Sequence, residues 1–247
     1  MHPTETIEAL NVLSARLRPV LESDGVSVLM QARSEVQDSF DRYQTMARRN
    51  PPTDCEWGYT IYPEKPLRFR ETTVHGFRLR ADVSCRLRWL DPNGDPTKQE
   101  LAVRIWCLND EVMFRDQLDA PAVLERLDFV LGRVMVRYHY DKANEEQPGP
   151  DYHLQMGGNS RDEGLCWLHE GVAIPRVAHS PRDLVLACEE LVANLYTPDH
   201  VSIQDPTFAH TIKVSQEALL ASYYARVVDA ISSGKSVLRS LWVGATP

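Results

Sequence analysis

The stretch Phe77-Arg78-Leu79-Arg80-Ala81-Asp82-Val83-Ser84-Cys85-Arg86-Leu87-Arg88-Trp89 alternates without a break, apolar at every odd position and polar at every even one. Successive side chains of a strand point to opposite faces, so this pattern predicts a long β-strand with one buried face and one polar face. Asp91-Pro92-Asn93-Gly94 supplies turn chemistry directly after it, and Leu101, Val103, Ile105 and Cys107 carry the same period onto a return strand. Weaker extended signals precede it at Trp57–Tyr62 and Leu67–Thr73. Together these segments read as an antiparallel meander.

The period on either side is helical. Ile7, Leu10, Leu13, Leu17 and Leu21 recur at three and four residues, with Pro19 set to end or kink that stripe. A second stripe runs Leu29, Ala32, Val36, Phe40, Tyr43, Met46 and stops at Asn50-Pro51-Pro52. After the meander, Asp119-Ala120-Pro121 opens a helix through Leu124, Leu127 and Leu131 to Gly132, and Val134, Val136, Tyr138 and Tyr140 alternate as a strand. Ser180-Pro181 reads as cap and first position of a helix carrying Leu184, Cys188, Leu191 and Leu195. Ser215 reads as the cap of a last helix with Leu219, Leu220, Tyr223, Val227 and Ile231, closing at Gly234. Strands are grouped rather than alternating strictly with helices. The expected class is therefore α+β, an antiparallel meander packed against several helices with an N-terminal helical pair. One domain over 1–247 is the simplest organisation; the alternative sets a helical arm, 1–50, apart from a body, 51–247.

Composition bounds the function. The chain has 247 residues, 43% hydrophobic and 25% charged, which suits a globular core and excludes low-complexity or collagen-like chains. Its net charge of −8 repels nucleic acid and anionic membranes as a whole. No apolar run approaches the roughly 20 residues of a membrane span. The beginning, MHPTETIEALNVL, carries acids where a signal peptide carries bases, so the expected location is the cytosol. The five cysteines (Cys55, Cys85, Cys107, Cys166, Cys188) form no C-x-x-C, which argues against zinc ribbons and thioredoxin chemistry. Cys85, Cys107 and Cys188 fall on apolar faces and read as core.

The main candidate for chemistry is a hairpin. His139-Tyr140-Asp141 is followed by a nine-residue connector, then Asp151-Tyr152-His153. His and Asp stand two apart in each piece and share a face. With Asp141 opposite Asp151, His139 falls opposite His153 and Arg137 faces Gln155. Opposed side chains lie about 5 Å apart at Cβ, close enough to share a divalent metal through His139, Asp141, Asp151 and His153. His169 and His179 through Asp183 follow in sequence and could complete the site. The plainer reading is a polar outer face, where His and Asp are common; a one-residue slip would turn them to the other side.

The second candidate is basic. Between Arg68 and Trp89 six arginines face two acids, Glu71 and Asp82. Arg78, Arg80, Arg86 and Arg88 share one strand face, and with Arg137 they form a candidate surface for anions or nucleic acid. Internal pairing with Glu5, Glu8, Glu35, Asp38 and Asp41 of the leading helices is the favoured alternative in so acidic a chain. Phe77 and Trp89 point the other way and cannot stack bases there. Gly157-Gly158-Asn159 reads as a turn, because no phosphate-loop Lys-Ser/Thr follows. Cys166 with His169 lacks an orienting third group, His169-Glu170 has no second His at helical spacing, and Trp106 and Trp167 read as core or interface.

From Tyr138 to Tyr196 the chain resembles a pattern found in bacterial proteins of unassigned function. It is carried by Tyr138-His139-Tyr140-Asp141, His153-Leu154-Gln155-Met156-Gly157, Ile174-Pro175-Arg176, Ser180-Pro181 and Asn194-Leu195-Tyr196. The resemblance covers about a quarter of the chain; it implies a bacterial cytosolic protein and supplies no activity. Three functions follow in order of preference. The first is a non-catalytic interaction or accessory protein with a protein partner. The second is a metal-dependent phosphoester hydrolase, in which the metal activates water and Arg137 stabilises the developing charge. The third is a nucleic-acid or nucleotide binder using the arginine strand, which the net charge disfavours.

Overall fold

The computed structural model describes residues 2–48, 55–92, 94–108, 134–143, 149–156, 177–197 and 200–243. Helices α1 (Pro3–Arg16) and α2 (Gly25–Ala47) lead the chain and pack together. Among the described residues ten strands follow or intervene: β1 (Trp57–Ile61), β2 (Leu67–Arg68), β3 (Thr72–Val74), β4 (Phe77–Trp89), β5 (Lys98–Cys107), β6 (Val134–Lys142), β7 (Gly149–Pro150), β8 (Tyr152–Met156), β9 (Val177–Ala178) and β10 (Trp242–Val243). Between β9 and β10 lie α3 (Leu184–Leu195), α4 (Val201–Gln204), α5 (Pro206–Ser232) and α6 (Val237–Ser240). Among the described residues this is an α+β fold, with an eight-stranded antiparallel sheet ordered β1-β4-β5-β6-β8-β9. The short strands β1, β2 and β3 tile one edge of β4, and β5 takes its other edge.

The alternation of β4 does what its period dictates. Ala81, Val83, Cys85, Leu87 and Trp89 are buried on the helix side with Leu101, Val103 and Tyr140. Leu10 and Leu13 of α1, Leu29 and Val36 of α2, Leu184, Cys188 and Val192 of α3 and Phe208 and Leu219 of α5 join the same core. The leading helices therefore share the sheet's core. Cys85 and Cys188 are buried free thiols, and burial pushes Cys85 up to about 12, away from the reactive thiolate. The side chain of Cys107, together with Cys166, lies outside the described residues.

An open sheet edge invites foreign strands, and α2 closes this one. Gly58 N–H donates to Ser39 Oγ at 3.1 Å, and Ser39 returns a bond to Gly58 O at 3.0 Å. Thr60 N–H donates to Glu35 Oε2 at 2.8 Å. Residue 58 must be glycine: its φ is +151°, and a Cβ there would sit 2.0 Å from Leu87 O.

Two helix starts differ from the expectation. The cap of α3 is Asp183, not Ser180, and α5 starts at Pro206 under Asp205, nine residues before Ser215. Asp205 Oδ1 accepts from Thr207 N at 2.9 Å and Phe208 N at 3.2 Å, with proline at the first helical position. Ser215 lies inside the helix and donates to Asp183 Oδ2 at 2.7 Å, while Asp183 Oδ1 accepts from Leu186 N at 3.0 Å. One buried carboxylate thus caps α3 and ties it to α5. Burial raises the Asp183 carboxyl above its usual range. The helix expected at Asp119–Gly132 lies outside the described residues.

Candidate functional site

β6 and β8 pair as the expected hairpin in a different register. His139 stands opposite Gln155 and Asp141 opposite His153, so neither His139–His153 nor Asp141–Asp151 is a direct pair, and Arg137 does not face Gln155. The offset is two residues. An even slip preserves the face, and Arg137, His139 and Asp141 still share it with His153 and Gln155. Asp151 leaves the group. It precedes β8, its N–H donates to Leu241 O at 2.6 Å, its carbonyl accepts from Ala143 N at 2.7 Å, and its carboxylate meets Arg226 of α5 at 2.7 Å. Beside it Lys142 Nζ lies 5.3 Å from the centroid of the Tyr152 ring, and β10 pairs with β7. These contacts set the register. Among the described residues no three His, Cys, Asp or Glu side chains form a group that could hold a metal ion.

His179 is also elsewhere. Its ring lies edge-on to Tyr140, centroids 5.2 Å apart, on the helix side of the sheet, and its Nδ1 is 2.7 Å from Ser180 O. A carbonyl only accepts, so that nitrogen carries the proton. Tyr140 donates to Glu190 at 3.1 Å. His169, Cys166, Trp167 and Gly157–Asn159 fall outside the described residues.

The polar side of the central strands carries a denser cluster. Arg104 of β5 stands opposite Asp82 of β4 and Arg137 of β6. Arg104 Nε donates to Asp82 Oδ1 at 2.5 Å, Trp106 Nε1 donates to Asp82 Oδ2 at 2.8 Å, and Arg104 Nη2 donates to Pro63 O at 3.0 Å. Asp82 and Arg104 are 3% and 5% exposed, a charge pair out of water. The guanidinium carbons of Arg80 and Arg104 lie 5.7 and 6.0 Å from the centroid of Trp106. Ser84, Ala102 and His139 make the next row across the sheet. The first two are small, so the row is a low floor bordered by long charged side chains.

His139 ends that floor. Burial first, then the charges of Arg137 and Arg104 and the neighbouring His153, lower its pKa to about 4. The ring is neutral near neutral pH, and its buried Nε2 has no hydrogen-bond partner among the described residues. His153 is buried, with Nδ1 3.2 Å from Pro150 O. This again fixes the proton on Nδ1.

The arginine row of β4 divides. Arg78 meets Glu71 at 2.7 Å in the open, and Arg88 meets Glu35 at 2.9 Å and Thr60 Oγ1 at 2.8 Å, half-buried. Arg80 and Arg86 meet no carboxylate among the described residues; Arg80 is half-buried against Trp106 and Arg86 is exposed. Of the five acids expected opposite this strand, only Glu35 pairs with it among the described residues. Glu5 instead accepts from His2 N at 2.7 Å, and Asp41 accepts from Gln37 at 2.9 Å.

Sequence reasoning passed over Arg104, read Trp106 only as core or interface, and placed Asp82 only as an acid in the arginine window. The signal was present: the alternation of Leu101, Val103 and Ile105 puts Arg104 and Trp106 on the polar side of β5, beside Asp82. Comparison of the chain with protein-family models, with curated proteins and with solved structures gives no match in any of the three. The class defined by fold and site is an α+β protein with a cationic, partly buried polar sheet face. Among its described residues no helix is long and apolar enough to cross a membrane.

Proposed function

We propose that the chain is a non-catalytic interaction or accessory protein of the bacterial cytosol that grips an acidic group of a protein partner on this sheet face. The resemblance of residues 138–196 to bacterial proteins supports the setting. One observation carries the rest: the acid at the centre of the face, Asp82, has both oxygens committed to Arg104 and Trp106, while Arg80 and Arg86 beside it lack a carboxylate among the described residues. A half-buried guanidinium without an acid carries an unrecovered desolvation cost. A visiting carboxylate recovers it through bidentate, charge-assisted bonds. A protein acid is favoured over nucleic acid because the chain is net negative and because two guanidinium groups already lie over Trp106, where a base would stack.

Fluorescence polarisation with a labelled oligo-glutamate peptide tests the reading, with a labelled single-stranded oligonucleotide in parallel. Salt-sensitive peptide binding that falls about tenfold in Arg80→Ala/Arg86→Ala is the expected result. Binding of the oligonucleotide alone would move the function to nucleic acid. No binding of either probe removes the proposal.

A further inference from the structure

Arg80 and Arg86 share one face of β4 and stand six residues apart. A strand rises about 3.4 Å per residue, so their Cα atoms are separated by about 20 Å. One carboxylate cannot bridge two guanidinium groups over that distance. The stretch between them is already spent. Arg104 reaches across β4 from β5 to Pro63 O, at 3.0 Å, and answers Asp82 on the way. Asp82 and Ser84 are both buried. The two ends differ from this middle. Arg80 is held against Trp106, 5.7 Å from the ring centroid, and its buried Nε has no hydrogen-bond partner among the described residues. Arg86 is exposed, with Thr60 opposite it on β1 and Glu100 opposite it on β5. Glu100 is drawn to Lys98 at 3.0 Å.

We infer that the face reads spacing: its ligand is an extended acidic segment of a protein partner, laid along β4, with one carboxylate side chain on Arg80 and a second, six residues away in the partner's chain, on Arg86. The inference rests on the proposed grip on an acidic group and specifies it. An extended partner has the same rise as β4, and six is an even number, so alternation brings both acids to one side. Acids five or seven apart would point to opposite sides. Width also favours the extended form. A helix is about 10 Å across and neighbouring strands are about 4.8 Å apart, so a helix over β4 also overlies β5, where Glu100 repels an acid. An extended chain keeps to β4. Once one acid is bound, the second contact forms within the same complex, and the pair binds more tightly than either acid alone.

Two labelled peptides of one composition, two Glu and five Ser with blocked termini, test this by fluorescence polarisation at low salt. One carries its acids six residues apart; the other carries them two apart, too close to span the arginines. Equal composition holds the general attraction of charge constant, so only spacing differs. The wild type should bind the first about tenfold more tightly, and Arg86→Ala should bind the two alike. Arg86 is exposed, so its removal leaves the fold intact. Equal binding of both peptides by the wild type, or a preference that survives Arg86→Ala, overturns the inference while binding of oligo-glutamate keeps the grip itself standing. Loss of oligo-glutamate binding removes both. An alanine-rich helical peptide with acids fourteen apart spans about 21 Å on one face. Tighter binding of that peptide than of the six-apart one overturns the extended form.

Discussion

Replacing His139 by glutamine should make the protein less sensitive to acid, by an amount the structure sets. Burial, the Arg137 and Arg104 guanidinium groups and the neighbouring His153 hold the imidazole near 4, against 6.5 for the free side chain. The folded chain therefore refuses a proton that the unfolded chain accepts. For a group lowered in this way the stabilising contribution is complete above the unfolded value and is lost as pH falls from 6.5 towards 4. The full difference corresponds to about 3 kcal/mol, of which about 2 kcal/mol is lost between about pH 8 and about pH 5. Urea unfolding followed by tryptophan fluorescence at those two conditions gives the stability of each protein. The wild type minus His139→Gln difference isolates this residue, because every other titrating group is common to both. That difference should move by about 2 kcal/mol against the wild type on acidification, with the denaturant slope unchanged. Arg137→Met should remove only part of the effect, because burial is the first cause. A flat difference would refute the buried, cation-flanked imidazole. A difference of opposite sign would mean that a carboxylate, not guanidinium groups, governs the ring.

Two further substitutions probe the frame around the site. Gly58→Ala forces a Cβ onto Leu87 O and should cost about 3 kcal/mol or more in thermal unfolding, since neither backbone can yield without opening the β1–β4 pairing; a cost below about 1 kcal/mol would contradict the close approach. Asp82→Ala should cost about 3–5 kcal/mol by stranding the Arg104 guanidinium, whereas Asp82→Leu with Arg104→Met should cost far less. Equal losses in the single and double variants, measured by urea unfolding, would show that the pair is not shielded from water.

What could be read before folding and what could not divide along one physical line, the range of the interaction that decides. The β4 pattern is local, and its alternation alone names which residues of a strand are buried; the same rule applied to β5 also reaches Arg104 and Trp106. The hairpin register is not local. A shift of two residues leaves every side chain on its face, so alternation is blind to it. What selects the register comes from far along the chain: Arg226 on Asp151, Leu241 O on the Asp151 N–H, and β10 on β7. Helix starts fail for a related reason. Ser180-Pro181 and Ser215 carry cap chemistry as good as Asp183 and Asp205-Pro206, and a tertiary bond separates them: it takes Ser215 to Asp183 Oδ2 inside its helix while Asp183 Oδ1 caps α3. The charge surplus around β4 follows the same logic. Counting residues finds the excess arginines but not their partners, because Arg88 is answered across the sheet edge by Glu35 and Asp82 by Arg104 of the next strand. The arginines without a carboxylate among the described residues, Arg80 and Arg86, become visible only when the register is known. That surplus is a remainder, the charge that pairing among the described residues leaves uncancelled, and no one-dimensional count contains it.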